Sequence, residues 1–499
     1  MNELFQDMFI FEMANNHQGS VEHGLKIIRE MGAIARNHSV RAGLKFQFRD
    51  LDTFIHPEAR NQADVKHIPR FLSTALTRAQ FRELSVAVRD EGLVPIATPF
   101  DEKSVDMCHE LGIQVLKVAS ASADDWPLLD AIASAGLPVI ASTGGLKIDE
   151  IDRLVSFLTH RNVDFAILHC VSVYPTPTDM INLNFMERLM KRYPRIPIGY
   201  SGHEAPDDTD VVKVAVAKGA RILERHVGVE TDSIKLNKYS MNPVQVDAWV
   251  GAAVKAMKIA GISGANKDIE QVEIDELLSL KRGVYAAQRI IKGEVIKRED
   301  VYFAMPCSSG QISSGEFGQY RTTWIASANY EPDDPICESK QNDPIADVRA
   351  IIHDAKGMLY EAGIVIGNQF EIELSHHYGL NRFREVGAIL ISLVNRQYCK
   401  KLVIMLPKQS HPVHKHKIKE ETFQLLWGDL RLDLNGITQL MKPGDMSLVK
   451  PDVWHSFSSI GGAIFEEIST THIKGDSYYQ DPEIQSSDPI LRKTILEDW

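Results

Sequence analysis

The sequence has no long apolar stretch. None of its 499 residues fall in a run of the roughly 18 needed to cross a bilayer as a helix. Cysteine is scarce, and the five (Cys108, Cys170, Cys307, Cys337, Cys399) are scattered and odd in number, with no CxxC pair. Neither a disulfide framework nor a zinc knuckle is indicated, and a reducing, cytoplasmic setting is expected. Basic excess is missing too. The formal net charge of −12 argues against nucleic acid or an anionic membrane as the main partner, so an anionic substrate needs a local basic pocket. The acidic N-terminus has no basic n-region followed by an apolar core, so no signal peptide is expected. No GxGxxG follows the first apolar run, which counts against a dinucleotide-binding open sheet.

What is present reads as a soluble globular chain of about three domains. Short apolar runs recur at 8–12, 43–48, 93–100, 115–120, 137–143, 165–170, 196–201 and 221–226. Helix-like stretches such as 21–37, 78–90, 104–111 and 207–218 separate them. Eight such units in the first half predict an α/β fold, a (β/α)8 TIM barrel with its active site at the C-terminal strand ends. Those ends carry Glu12, Lys45, Gln47, Thr98, Lys117, Ser120, Ser142, Thr143, His169, Ser201, His203 and His226. His203 and His226 close neighbouring strands, and neutral imidazole is a good ligand for a divalent metal. Lys45 and Lys117 lie inside apolar runs, where a charge should meet a ligand or a carboxylate.

The barrel is expected over 1–265, followed by a Gly/Ser/Asn linker at 261–266 and an acidic helix near 269–281. A compact β unit is expected over 280–342, a helical connector over 343–370, a β-rich domain over 371–480 and a polar, peripheral tail over 481–499.

Nine stretches occur in order: EMANNHQG (12–19), LKFQ (44–47), ATPF (97–100), KVAS (117–120), STG (142–144), LHC (168–170) with YPTP (174–177), GYSGH (199–203), LERH (223–226) and SMNP (240–243). Each is weak alone. Together they resemble the sialic acid synthase (N-acetylneuraminate synthase-like) family over roughly residues 8–340. The 280–342 unit is similar to the antifreeze-like (SAF) domain that follows this barrel in the family and closes the partner's active site in a homodimer. The resemblance implies a C–C bond-forming transferase that condenses phosphoenolpyruvate (PEP) with an open-chain aldose. The product is a 3-deoxy-2-ulosonic acid, and phosphate is released. It places Lys45, Thr98, Lys117, Ser120, Ser142 and Ser201 around PEP, Gln47 among the substrate-binding residues, Tyr174 beside the sugar, and Glu12 as the residue managing protons or orienting the sugar and water. It also implies Mn2+ or Mg2+ on His203 and His226. The chain departs from the family on the sugar side. Ser122 stands where relatives often have glutamate, Met305 where they have arginine, and Ile234-Lys235-Leu236 where they have Gly-Pro-Asp.

Near the C-terminus the spacing HxHx4Ex6G (His414, His416, Glu421, Gly428) precedes Pro443-Gly444-Asp445 and Trp454-His455. This resembles the cupin superfamily, an all-β barrel holding a divalent metal (Mn2+, Zn2+, Fe2+ or Ni2+) on His414, His416, Glu421 and His455. Glu467 could face the same cavity. The cupin is then a sugar-binding or sugar-isomerising site. The alternative is a metal-dependent aldolase or isomerase without PEP, its cupin a non-catalytic sugar-sensing or dimerisation module.

Overall fold

The computed structural model describes residues 3–60, 65, 67–261, 267–318, 323–337, 344–368, 370–473 and 475–496. It divides into two compact units, Met1–Lys267 and Asp268–Trp499. Apart from Gly261, the expected linker at 261–266 lies outside the described residues, as do the expected boundary near 342 and the last three residues.

The first unit is a closed, all-parallel barrel of eight strands. They are β1 (Met8–Glu12), β2 (Arg41–Phe48), β3 (Val94–Pro99), β4 (Val115–Val118), β5 (Val139–Ser142), β6 (Phe165–Cys170), β7 (Ile198–Gly202) and β8 (Ile222–His226). Alternate residues of a strand face opposite sides of the sheet. Met8, Ile10, Ile96, Val115, Ile140, Ala166, Leu168 and Ile222 therefore form one cluster that plugs the barrel interior. Phe9, Phe11, Leu44, Phe46, Leu116, Val118 and Leu223 belong to a second cluster, shared with the surrounding helices. The final helix, Pro243–Ala260, begins with a capping box in which Asn242 and Gln245 satisfy each other's backbone N–H groups. Its buried Trp249 meets Phe9 edge-on, ring centroids 5.4 Å apart.

The second unit opens with a small β region. Strand Gly283–Ala286 pairs antiparallel with Val301–Ala304, and Val295–Ile296 with Trp324–Ile325. Val284, Ile290, Ile296, Val301, Trp324 and Ile336 give it its own core. Two further sheets, of seven and five strands, form the C-terminal all-β domain. Their facing sides bury Val403, Phe423, Leu425, Leu432, Phe457 and Phe465.

Two expectations change here. Helix Pro344–Ala362 is not only a connector: Ile351, Ala355 and Leu359 pack on Ile372, Ile391, Leu402 and Ile404, covering the outer face of the seven-stranded sheet. The 481–499 segment is not a peripheral tail. Its Lys493–Leu496 strand pairs antiparallel with Glu371–Ser375 as the sheet's edge, and Ile484 is fully buried. The helix supplies the apolar face that covers the sheet, and the more polar C-terminal segment adds Ile484 and Leu496. Among the described residues, no helix is long and apolar enough to cross a membrane.

Candidate active site and metal centre

Period-two alternation aims a set of polar side chains into a cavity of about 850 Å³ at the C-terminal end of the barrel. Glu12 follows Met8 and Ile10 inward, and in register it lies between Lys45 on β2 and His226 on β8. The cavity is lined by Glu12, Lys45, Gln47, Thr98, Lys117, Ser120, Ser142, Tyr174, Ser201, His203 and His226. Every barrel residue expected at the site is thus brought together. His169 and Thr143 have the opposite parity and leave it. His169 Nε2 hydrogen-bonds the Ile181 carbonyl at 2.7 Å, and Thr143 Oγ1 donates to the Leu168 carbonyl at 3.2 Å.

The floor is an alternating charge network. Lys45 pairs with Glu12 and, at 3.2 Å, with Glu224, which lies 3.9 Å from Lys117. Lys117 Nζ donates to Ser142 Oγ at 2.5 Å, and Ser201 Oγ donates to Glu224 at 2.8 Å. All four charged groups are buried. Burial pulls the Lys117 ammonium down to about 8, against the opposing pull of Glu224. Burial also acts on Lys45, but the Glu12 and Glu224 carboxylates outweigh it and leave the ammonium raised to about 12. Burial raises Glu12, only partly offset by Lys45. Glu224 resists its own burial, because Lys117 and Lys45 hold it down to about 2. Among the described residues Thr98 Oγ1 is buried with no hydrogen-bond partner, which leaves its hydroxyl open as a donor. Gly144 lets this wall close. A Cβ there would collide with the Ser172 hydroxyl and come within 2.8 Å of Ser120 Oγ, which accepts the Gly144 N–H at 2.9 Å.

Glu224, Cys170, Arg49, Arg70 and Tyr239 also line the cavity and were not anticipated. The strand parity that carries His226 inward carries Glu224 with it, so that signal was present. Arg49 and Arg70 lie beyond the strand β2, where no period operates.

The His203 and His226 rings lie 5.3 Å apart between centroids, and Tyr174 packs 4.2 Å from His203. Burial lowers His203 to about 4 and His226 well below its usual range, so both imidazoles are neutral at pH 7. His203 Nδ1 donates to the Val171 carbonyl at 3.1 Å, leaving Nε2 as the bare nitrogen. Two neutral imidazoles beside a carboxylate suit a divalent metal that keeps positions open for water and substrate.

The C-terminal domain holds a denser donor set. Among the described residues, His414, His416 and His455 form the one cluster of three or more histidine, cysteine or acidic residues able to hold a metal. Their ligand atoms lie within 4.8 Å of one another. His414 and His416 share a face of strand His414–His416, and His414 is in register with His455. Each Nδ1 contacts a backbone carbonyl: Pro412 at 3.1 Å, Asp476 at 2.8 Å and Val453 at 3.1 Å. Those contacts fix the tautomers and leave three Nε2 lone pairs for a metal. His455 Nε2 is buried without a hydrogen-bond partner, which fits that role. Glu421 approaches His416 at 3.4 Å and His455 at 3.2 Å. Glu421 is also held by buried Lys419 at 2.5 Å, and Lys419 reaches Glu467 at 2.9 Å. Glu467 is buried in its pair with Lys419 rather than on a solvated edge, whereas Glu466 pairs with Lys400. Lys419 was missed: it sits in a loop, where alternation gives no facing.

Comparison with known proteins matches residues 34–264 to the NeuB family and residues 401–469 to the cupin domain. A crystal structure of a candidate spore coat polysaccharide biosynthesis protein E from Chromobacterium violaceum is 41% identical. It covers 66% of this chain and 98% of that one, with a TM-score of 0.64. The human N-acetylneuraminate-9-phosphate synthase is 32% identical over 228 residues, 44% of this chain and 62% of that enzyme. The Campylobacter jejuni N,N'-diacetyllegionaminic acid synthase is 26% identical over 345 residues, 66% of this chain and 99% of that enzyme. The chain belongs to the NeuB family and carries a C-terminal cupin domain.

Proposed function

We propose that this chain is a PEP-dependent aldulosonate synthase. The observation that carries this reading is one cavity that joins an ammonium and hydroxyl floor to two neutral imidazoles. PEP carries about three negative charges and calls for charge-assisted donors. Lys45, Lys117, Ser142, Ser201 and the open Thr98 hydroxyl supply them. In the reaction a bond forms between C3 of PEP and the aldehyde carbon, water adds at C2, and phosphate leaves. Mn2+ or Mg2+ held by His203 and His226 would polarise the aldehyde oxygen. Glu12, bound to Lys45 and accepting the Ala14 N–H at 2.6 Å, is placed to position the acceptor and manage the proton of the adding water. Tyr174 walls the acceptor side beside His203.

The acceptor is an aldose that differs from N-acetylmannosamine around its N-acyl group. Short, buried Ser122 leaves that wall to Ser120 and Ala121, and Met305 cannot offer an arginine's donors. Each lost hydrogen bond costs about 1–3 kcal/mol of discrimination. Mass spectrometry of products from PEP with hexoses, hexosamines and N-acylated amino sugars tests the reading. A 3-deoxy-2-ulosonic acid formed with equimolar phosphate is expected. Phosphate-free aldol or isomerised products would overturn it.

Glu224→Gln should lower kcat/KM for PEP by about 10²-fold. Two buried ammonium groups would lose their shared carboxylate, and breaking such a pair costs roughly 3–5 kcal/mol. Steady-state kinetics read this directly, and an unchanged KM and kcat would remove Glu224 from the site.

The 280–342 unit is proposed as a SAF domain that completes the partner's site in a homodimer. A protein ending at residue 266 should then keep the barrel's circular dichroism and lose PEP turnover. A fully active monomeric truncation would refute the arrangement. The cupin is proposed as a second divalent-metal site that binds or isomerises a sugar, with Lys419 and Glu467 beside the metal.

A further inference from the structure

Two arginines in the barrel cavity have no counter-ion. Arg49 and Arg70 both line it, and among the described residues neither guanidinium has a carboxylate within ion-pair distance. On the floor, two carboxylates (Glu12, Glu224) and two ammonium groups (Lys45, Lys117) already pair with one another. Among the described residues, the cavity lining therefore keeps two guanidinium groups with no carboxylate in ion-pair contact.

Both side chains are held in place. The Arg49 guanidinium lies between the rings of Phe100 and Phe71, 3.7 Å and 4.1 Å from their centroids, and donates to Gln47 Oε1 at 3.0 Å. Its Nε is buried without a partner. Burial pulls this group down to about 10, against the opposing pull of the Glu12 and Asp101 carboxylates. Arg70 precedes Phe71 on helix Ile68–Ser73 and contacts Asn16 Oδ1 at 3.4 Å. Asn16 is itself fixed by the Val227 carbonyl at 2.8 Å and Ser240 Oγ at 3.1 Å.

Their position picks out the acceptor rather than PEP. Lys117, Ser120 and Ser142 stand at the ends of β4 and β5. Arg70 instead reaches Asn16, which holds Ser240, the residue after Tyr239, and Arg70 and Tyr239 line the same cavity. The Tyr239 ring is 5.1 Å from His226 and 6.1 Å from His203. An extended aldose with its aldehyde at the two histidines passes Tyr239 and brings its far end to Arg70. A guanidinium fork matches phosphate and carboxylate geometry.

We propose that Arg49 and Arg70 form an anion subsite for the acceptor, and that the acceptor is an aldose with a phosphate or carboxylate at the end remote from its aldehyde. The inference rests on the synthase reading for which substrate is the acceptor, but the subsite can be measured without turnover. Calorimetric titration of the full-length protein with mannose, mannose 6-phosphate and mannuronate, PEP absent, separates the sources. One anionic sugar should bind at least tenfold more tightly than mannose, the better of the two naming the group. Arg70→Gln, at an exposed position that the fold tolerates, should remove that advantage, and Arg49→Lys should reduce it. With PEP present, Arg70→Gln should raise KM for the anionic acceptor tenfold or more and move KM for PEP less than twofold. Equal binding of all three sugars overturns the subsite, as does an Arg70→Gln effect confined to PEP. Selective binding of an anionic sugar without phosphate release from PEP would uphold the subsite and refute the synthase.

Discussion

Replacing His226 with alanine is expected to abolish metal-dependent phosphate release from PEP, by about 10³-fold or more in kcat. The imidazole is half-buried at the end of β8, beside Glu12 in register and 5.3 Å from the His203 ring. Burial keeps it neutral, so in this site its chemistry is that of a lone-pair donor rather than a cation. Alanine leaves one histidine, too few to retain a divalent ion against water, and the aldehyde loses its electrophilic activation. His203→Ala should do the same. His169→Ala is the control, because that ring faces the helices and hydrogen-bonds Ile181, so the metal requirement should persist. Phosphate release is followed colorimetrically with the protein stripped and then reloaded with Mn2+. Full activity in a metal-stripped His226→Ala protein would contradict the assignment.

The contrast between His226 and His169 marks what the sequence made legible. Apolar runs with polar ends predicted eight strands, and the barrel closes through all eight. Listing polar residues at strand ends did not separate inward from outward positions, although parity does so. Counting back by two from His226 gives Glu224 and Ile222, both interior. Counting from Leu168 gives Cys170 and excludes His169. Residues on loops obey no such count. Arg49 is fixed by Phe71 and Phe100, which are distant in sequence, and Lys419 by Glu421 and Glu467. The C-terminal strand Lys493–Leu496 has only half-buried or exposed residues, so its role as a sheet edge rests on backbone pairing that composition does not reveal.

Substituting alanine for His455 should weaken metal binding to the cupin by at least 100-fold while PEP-dependent phosphate release stays within twofold. The affinity term follows from the donor set. Three Nε2 atoms are pre-aimed by Nδ1 contacts to backbone carbonyls, and disturbing even such supporting contacts typically costs ~10–100-fold in affinity. Losing a ligand outright should cost more. His455 Nε2 lies 3.2 Å from Glu421, the fourth candidate ligand, so its removal takes away a donor at the centre of the set. The independence term follows from the division of the chain near residue 267: the synthase residues belong to one compact unit and the cupin histidines to the other. Metal per chain, measured by mass spectrometry after exhaustive dialysis, should fall by one ion in His455→Ala, with the His203/His226 ion retained. Glu421 adds a second readout. Buried between Lys419 and the histidines, it is held well below the usual carboxylate range, because Lys419, His416 and His455 together outweigh the burial that would raise it. Lys419→Met should therefore leave Glu421 free to turn fully to the ion and tighten metal retention, opposite in sign to the histidine variant. Undiminished metal content in His455→Ala would show that the cluster is not a metal centre. Loss of PEP turnover alongside the metal would show that the cupin and barrel act as one catalytic unit.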